Sequence, residues 1–419
     1  MQADLRVERE LLAVGSEHLL WCLLELVAPP ARPCGQRRPI SVALVLDRSG
    51  SMAGRKLAVM RACARFLVER LAPADRLAIV TYDDEVELRV PLSRVEEHRG
   101  MLLAAIERIH AGGSTNLAGG YLKGLEALSH APAGSVRRVL VCSDGLANVD
   151  ATTPGASLGA AERAFRTHGI TTSTIGLGPD FDEDLLTALA DAGGGTAHLA
   201  ESPDDAPAIF GSEFAELVSV VAEDVQVGIR PEPPVSTVEV LTDVPAVPVE
   251  GGTLVRLGAV FGEERRRLVF GLRVPVLRVV GPRRIAEVVI RAVEPFPSEE
   301  RIPVVVNLVP PEEAVGPASD PTVRDEVLIL SAARAGERAR ALADAGDLEG
   351  ARRALEEAAL MLERAAPGSP RAQELLEHAE FWSARAYALA EGAYDALERK
   401  RLVYRSREAR LGGRRTREP

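Results

Sequence analysis

Apolar strands alternate with amphipathic helices between residues 39 and 221, and this alternation constrains the fold more than any other feature of the chain. The pattern predicts a parallel sheet with helices on both faces, that is, a doubly wound α/β domain. The predicted strands are 41–46, 77–82, 86–90, 136–141, 171–175 and 195–199. The polar run Asp83-Asp84-Glu85 joins the second strand to the third like a solvated hairpin tip, so strand 86–90 is expected to be an antiparallel edge.

A different pattern begins after residue 223, where short alternating strands are separated by Pro and Gly. Such strands, at 225–230, 235–241, 252–257, 267–274, 286–292 and 303–308, are typical of an all-β domain. Segment 18–27 is also strand-like but has no neighbouring strands of its own. We therefore expect it to join the later strands, which makes the α/β domain an insertion in a β-sandwich.

The C-terminal part, from about residue 322 to 411, is helical and rich in Ala, Leu, Glu and Arg. Breaks at 345–347 and 367–370 predict three helices packed as an antiparallel bundle. The arginine-rich stretch 399–419 predicts a frayed helix end and a disordered basic tail. The predicted domains are 1–38 (strands of the sandwich), 39–221 (α/β), 222–312 (sandwich), 320–411 (bundle) and 412–419 (tail).

Five oxygen-bearing side chains follow predicted strands or lie in the loops between them. Asp47, Ser49 and Ser51 come directly after the first strand, Thr115 lies in a Gly-Gly-Ser-Thr-Asn loop, and Asp144 follows the fourth strand. In a sheet of strand order 3-2-1-4-5-6, the first and fourth strands are neighbours at the point where ligands bind. Carboxylates and hydroxyls are hard ligands, so the sequence predicts a magnesium site at this edge.

This set of residues, Asp-x-Ser-x-Ser with a distant Thr and a distant Asp, resembles the metal-ion-dependent adhesion site of the von Willebrand factor type A family. The resemblance covers about residues 39–221, and the flanking domains are similar to those of bacterial multidomain proteins of the family. It implies that the five residues bind Mg²⁺, with Mn²⁺ or Ca²⁺ as alternatives, and that a Glu or Asp of a protein ligand completes the coordination. It also implies a binding module rather than an enzyme. Arg48 and Asn148 are either border residues of the open position or plain loop residues.

Two other functions remain open from the sequence. Some members of the family that the chain resembles act beside AAA-type ATPases, so an adaptor or co-chaperone role is one alternative. The second is a magnesium-dependent phosphoryl hydrolase with Asp47 as nucleophile. Such enzymes use an Asp-x-Asp motif whose second Asp is the acid/base, and Ser49 occupies that position here.

Charge and composition restrict the partners and the compartment. The formal net charge of −11 argues against coating of nucleic acid, which needs a basic surface. No uncharged apolar stretch is long enough to span a bilayer, and the first ten residues lack a signal-peptide core, so we expect a cytoplasmic protein without membrane contact. The four cysteines include no Cys-x-x-Cys pair, so we expect them to be reduced. The oligomeric state does not follow from the sequence.

Overall fold

The computed structural model describes residues 1–31, 37–145, 154–292, 298–314 and 319–411. The chain forms two compact units, one made of Met1–Ala31 with Val220–Pro419 and the other of Arg32–Ser219. The strands are β1 (Gln2–Val7), β2 (Leu11–Ala13), β3 (His18–Val27), β4 (Ile40–Asp47), β5 (Arg76–Tyr82), β6 (Val86–Arg94), β7 (Val136–Ser143), β8 (Ile170–Leu177), β9 (Gly194–Ala200), β10 (Val220–Pro231), β11 (Thr237–Val240), β12 (Ala246–Val249), β13 (Gly252–Phe261), β14 (Arg265–Val274), β15 (Gly281–Ala292) and β16 (Ser298–Val309). The helices are α1 (Arg55–Arg70), α2 (Val95–Glu107), α3 (Leu117–Leu128), α4 (Pro154–His168), α5 (Glu183–Ala192), α6 (Ala206–Val218), α7 (Pro321–Asp344), α8 (Leu348–Ala365), α9 (Ala372–Ala390) and α10 (Ala396–Arg410).

The unit Arg32–Ser219 is built on a six-stranded sheet of order β6-β5-β4-β7-β8-β9. All neighbours in it are parallel except β6, which pairs antiparallel with β5 at the edge. The predicted order 3-2-1-4-5-6 and the antiparallel edge are thereby confirmed. Helix α3 packs beside α4 and α4 beside α5, whereas α1 packs beside α2 and α6, so the helices form two layers. The central strand β4 is buried along its whole length because both layers cover it.

Helix α3 lies close to the sheet because glycines occupy positions that face it. A Cβ atom at Gly120 would lie 2.5 Å from the ring of Tyr82, and one at Gly124 would lie 2.6 Å from Cγ2 of Val45. Any larger residue would push the helix outward. Helix α3 starts immediately after the loop that carries Thr115, so this close packing also fixes the position of that loop.

The other unit contains a β-sandwich of a four-stranded sheet, β1-β3-β14-β11, and a six-stranded sheet, β12-β13-β10-β15-β16-β2. Strand β3 lies between β1 and β14 and pairs antiparallel with both. The prediction that segment 18–27 joins the later strands is confirmed. Alternate residues of β3 have different neighbours: Leu20 and Leu24 enter the core between the sheets, whereas Trp21 and Leu23 contact α7 on the outer face.

The position of β3 predicts that substitutions along this strand change the free energy of unfolding by different amounts, according to how deeply each side chain is buried. Leu24 is completely buried in the sandwich core, so Leu24→Ala should lower the free energy of unfolding by about 2–5 kcal/mol through lost burial and a residual cavity. Leu19, on the same strand, is 40% exposed, and Leu19→Ala should cost less than about 1 kcal/mol. Urea unfolding followed by tryptophan fluorescence measures both. Equal effects of the two substitutions would contradict the placement of β3.

The prediction of three C-terminal helices is wrong, because the described residues form four, α7 to α10. The additional break lies between α9 and α10, where Gly392 has a positive φ of 73° and the side chain of Asp395 caps α10 by accepting a hydrogen bond from Glu398 N. The composition is uniform across this break, so a single glycine was too weak a signal. Within the described residues, no helix is long and apolar enough to cross a membrane.

The end of α10 is anchored, although the sequence predicted a frayed end. The guanidinium of Arg410 donates to the carboxylate of Asp243 at 2.6 Å, and the carbonyl of Arg410 accepts from Asp243 N at 2.7 Å. Both contacts hold the last turn of α10 against the loop that follows β11. The predicted disordered tail, 412–419, lies outside the described residues.

Candidate metal centre

The candidate metal centre lies at the carboxyl ends of β4 and β7. These two strands are parallel neighbours, and Leu46 of β4 lies opposite Cys142 of β7. Asp47 is the last residue of β4, and Asp144 directly follows β7, so the two residues lie at the same edge of the sheet. The loop that precedes α3 lies at the same edge, because Gly50 N donates to the carbonyl of Gly113 at 3.0 Å. Three separate loops thus meet at one place.

Asp47 is completely buried, and both of its carboxylate oxygens have partners. Oδ1 accepts from the backbone N of Ser49 at 2.8 Å, and Oδ2 accepts from Oγ of Ser143 at 2.8 Å. Burial raises the pKa of Asp47 above its ordinary range, and the neighbouring Asp144 carboxylate adds to the increase, whereas the hydrogen bonds from Ser49 and Ser143 oppose it. A nearby cation would relieve this destabilised negative charge.

The two serines of the motif connect Asp47 to Asp144. Oγ of Ser49 lies 3.1 Å from Oγ of Ser51, and Oγ of Ser51 donates to Oδ1 of Asp144 at 2.7 Å. Ser49 and Asp144 are buried, whereas Ser51 is exposed. The cluster is therefore open to solvent on the side of Ser51.

Thr115 is the fifth predicted residue and is also buried at this edge. A Cβ atom placed on Gly145 would lie 3.1 Å from Oγ1 of Thr115 and 3.7 Å from Oγ of Ser51, so the two hydroxyls lie on the same side of that glycine. The structure thus brings all five predicted side chains together. Their role as metal ligands stays a prediction.

Asp83 is a residue of the site that the sequence analysis placed wrongly. It was expected in a solvated hairpin tip, but only 3% of it is exposed. Its carboxylate accepts from Nη2 of Arg48 at 2.9 Å, and its carbonyl accepts from Asn116 N at 2.8 Å. Asp83 therefore holds Arg48, a candidate border residue, and the loop that carries Thr115. The other candidate border residue, Asn148, lies outside the described residues.

Lys56 is a second residue of the site that the sequence analysis missed. Its Nζ lies 2.5 Å from Oδ2 of Asp144. Lys56 is the second residue of α1, where a positive charge is unfavourable because the helix dipole is positive at that end. A lysine at the start of a helix that follows a metal-binding motif was the signal available in the sequence.

The chemistry of the cluster fits a hard dication. It offers two carboxylates and three hydroxyls, which suits Mg²⁺ because that ion takes oxygen ligands and keeps some of its waters. Among the described residues there is no group of three or more His, Cys, Asp or Glu side chains that could hold a metal. Because the cluster has only two carboxylates, a metal bound there would depend on the hydroxyls as well.

Comparison with known proteins identifies the α/β unit. Residues 41–212 match the family model of the von Willebrand factor type A domain. This segment is a von Willebrand factor type A domain. Domains of the family commonly mediate interactions between proteins.

Relatives and solved structures extend the similarity beyond the type A domain. The uncharacterised protein sll0103 of Synechocystis sp. is 26% identical over 347 residues, which is 80% of this chain and 81% of that protein. The YfbK protein of Escherichia coli is 30% identical over 196 residues, which is 46% of this chain but only 34% of YfbK.

Two solved structures share the fold across the whole chain. The von Willebrand factor type A protein from Catenulispora acidiphila superposes with a TM-score of 0.76 at 16% identity, covering 99% of this chain and 97% of that one. The ArnB paralogue VWA2 from Sulfolobus acidocaldarius has a TM-score of 0.63 at 18% identity, covering 98% and 99%. At these identities the similarity shows the fold alone.

Proposed function

We propose that the type A domain binds a protein ligand through Mg²⁺, and that an exposed Asp or Glu of the ligand completes the coordination of the ion. Asp47, Ser49, Ser51, Thr115 and Asp144 would hold the ion, with Mn²⁺ or Ca²⁺ as substitutes. The observation that supports the proposal best is the meeting of three loops that contribute three hydroxyls but only two carboxylates. In this proposal the protein is not an enzyme.

The charge balance of the cluster explains why an acidic ligand would bind. The two carboxylates balance the formal charge of a dication. The other three ligands are neutral hydroxyls, which donate less electron density to the ion than carboxylates would, so the ion stays electrophilic. A carboxylate from a partner would then be a favourable further ligand. Ser51 is the exposed member of the set, so the ligand would approach from its side.

The contacts of Ser49 argue against the hydrolase alternative. Its Oγ contacts Oγ of Ser51, and the position holds no second carboxylate that could act as the acid/base of an aspartyl phosphatase. A phosphatase assay on the purified protein with p-nitrophenyl phosphate and Mg²⁺ should give no turnover that depends on Asp47.

The adaptor role beside an AAA-type ATPase would use the same acidic ligand and is a narrower form of the proposal. We also propose a cytoplasmic location, which cell fractionation would test.

The proposal is tested by capture of partners on the immobilised protein from a lysate of its source cells. A partner should be retained in Mg²⁺ and released by chelator, and Thr115→Ala should weaken its binding about tenfold because a hydroxyl of the coordination shell is lost. Thr167→Ala, which removes an exposed hydroxyl from α4, is the matched control and should leave binding unchanged.

The captured partner then permits a test of the acidic ligand. Substitution of single exposed Asp and Glu residues of the partner by Asn and Gln should identify one carboxylate whose loss abolishes binding. A partner that stays bound in excess chelator and to Thr115→Ala would bind elsewhere on the protein, and the proposed function would be wrong.

A further inference from the structure

Lys56 occupies one side of the carboxylate that the metal would use. Asp144 is completely buried, and its two oxygens have different protein partners: Oδ1 accepts from Ser51, and Oδ2 accepts from the ammonium of Lys56 at 2.5 Å. The Lys56 side chain is 24% exposed, so it is in partial contact with solvent whereas the carboxylate that it contacts is not. A dication bound by Asp144 would share that carboxylate with an ammonium group.

The ammonium also changes the net charge of the centre. Asp47 and Asp144 supply two negative charges, and Lys56 supplies one positive charge at direct contact with the second. Nearby, Arg48 and Asp83 form an ion pair with each other and add no net charge. Asp47, Asp144 and Lys56 together therefore carry a formal charge of −1 rather than the −2 of the two carboxylates alone, which weakens their attraction for a dication.

We propose that Lys56 is a built-in competitor of the dication for Asp144 and sets the metal affinity of the domain to a low value. The inference rests on the proposed function, since it concerns the same centre. Its consequence is regulatory. A weakly held ion needs the acidic ligand to complete its shell, so metal and partner would bind together rather than in sequence, each raising the affinity for the other.

A purely structural role for Lys56 makes the opposite prediction. If its ion pair only holds the Asp144 carboxylate in a coordinating orientation, removal of the ammonium should weaken metal binding. If Lys56 competes with the ion, removal should strengthen it. The sign of the change in affinity therefore separates the two roles.

The experiment measures Mn²⁺ affinity of the full chain by electron paramagnetic resonance of the free ion, with Mg²⁺ measured by competition. Lys56→Met, which keeps the apolar part of the side chain, should tighten Mn²⁺ binding about tenfold. Lys56→Arg retains the positive charge and should stay close to the wild-type affinity. Lys123→Met is the matched control, because Lys123 pairs with Glu126 on the exposed side of α3, and it should leave the affinity unchanged.

The outcomes separate this inference from the proposed function. In one outcome the wild type binds Mn²⁺, Asp47→Ala does not, and Lys56→Met binds the ion no more tightly than the wild type. That result would overturn the proposed competition but leave the metal centre in place. Mn²⁺ binding by Lys56→Met but not by the wild type would support strong competition between Lys56 and the ion. An absence of Mn²⁺ binding in the wild type and in Lys56→Met alike would overturn both.

Discussion

The Asp47→Ala variant is expected to lose Mg²⁺ and Mn²⁺ binding, with a fall in affinity of about 100-fold or more. Asp47 supplies one of only two carboxylates at the centre, and its Oδ1 and Oδ2 also fix the backbone of Ser49 and the hydroxyl of Ser143. Removal of this side chain therefore takes away both charge and preorganisation. The same Mn²⁺ titration by electron paramagnetic resonance measures the loss.

The matched control for this variant is Glu126→Ala, which removes an exposed carboxylate from α3 of the same domain. It should bind Mn²⁺ as the wild type does, although the net charge changes equally. Far-UV circular dichroism should show that Asp47→Ala keeps its fold, because burial makes the Asp47 carboxylate costly in the absence of a cation. Unchanged Mn²⁺ affinity in a folded Asp47→Ala protein would remove Asp47 from the centre.

The second large effect is expected at a buried group of charges that does not belong to the metal centre. Arg138 of β7 donates from Nη1 to Oε2 of Glu213 in α6 at 2.7 Å, and Nε2 of His198 in β9 lies 2.5 Å from Oε1 of the same carboxylate. All three side chains are buried. Burial alone would raise the pKa of Glu213, but the Arg138 guanidinium and the His198 ring outweigh it and hold that pKa well below its ordinary range.

Substitution of one partner should strongly destabilise the type A domain. Glu213→Gln leaves the Arg138 guanidinium buried without its main counter-charge, and we expect a loss of about 3–5 kcal/mol in the free energy of unfolding. The carboxylate contributes its stability fully above the unfolded pKa of Glu, about 4.3, and loses it as the pH falls toward the lowered pKa of the folded state. The difference between wild type and variant should therefore shrink in acid.

Urea unfolding followed by far-UV circular dichroism measures this loss. Both tryptophans of the chain, Trp21 and Trp382, lie in the other unit, so circular dichroism rather than tryptophan fluorescence is the readout. Glu213→Gln should shift the transition of the type A domain to a lower urea concentration. Glu162→Gln, in an exposed pair with Arg166, is the control and should change stability by less than about 0.5 kcal/mol. If Glu213→Gln changed the free energy of unfolding as little as Glu162→Gln, the buried ion pair would be contradicted.

Much of the fold followed from local patterns. Most residues of strand β4 are apolar because the strand is covered on both faces, and the hairpin signal before β6 correctly indicated the antiparallel edge. A different argument predicted that β3 joins the later strands, because a strand without sequence neighbours needs a distant partner, and the structure pairs it with β14. These predictions succeeded because hydrophobic periodicity reports which faces of an element are buried.

The fourth C-terminal helix shows where local patterns stop being informative. A single glycine in a helical composition is compatible with a continuous helix or with a break, and only the positive φ of Gly392 and the capping by Asp395 show which occurred. Asp83 is a similar case. Three consecutive acidic residues are typical of a solvated turn, and the burial of the first depends on Arg48, which lies 35 residues earlier.

For residues 39–221 the sequence by itself determined the strands, the strand order of the sheet and the five side chains that meet at the carboxyl ends of β4 and β7, because these depend on periodicity and on residues placed directly after strands. Only the tertiary structure decided which charges lie next to one another. Lys56 and Asp144, like Arg138 and Glu213, are far apart in the chain and meet through the packing of a helix on a sheet. Electrostatic interactions depend on distance in space, and no local pattern encodes that distance.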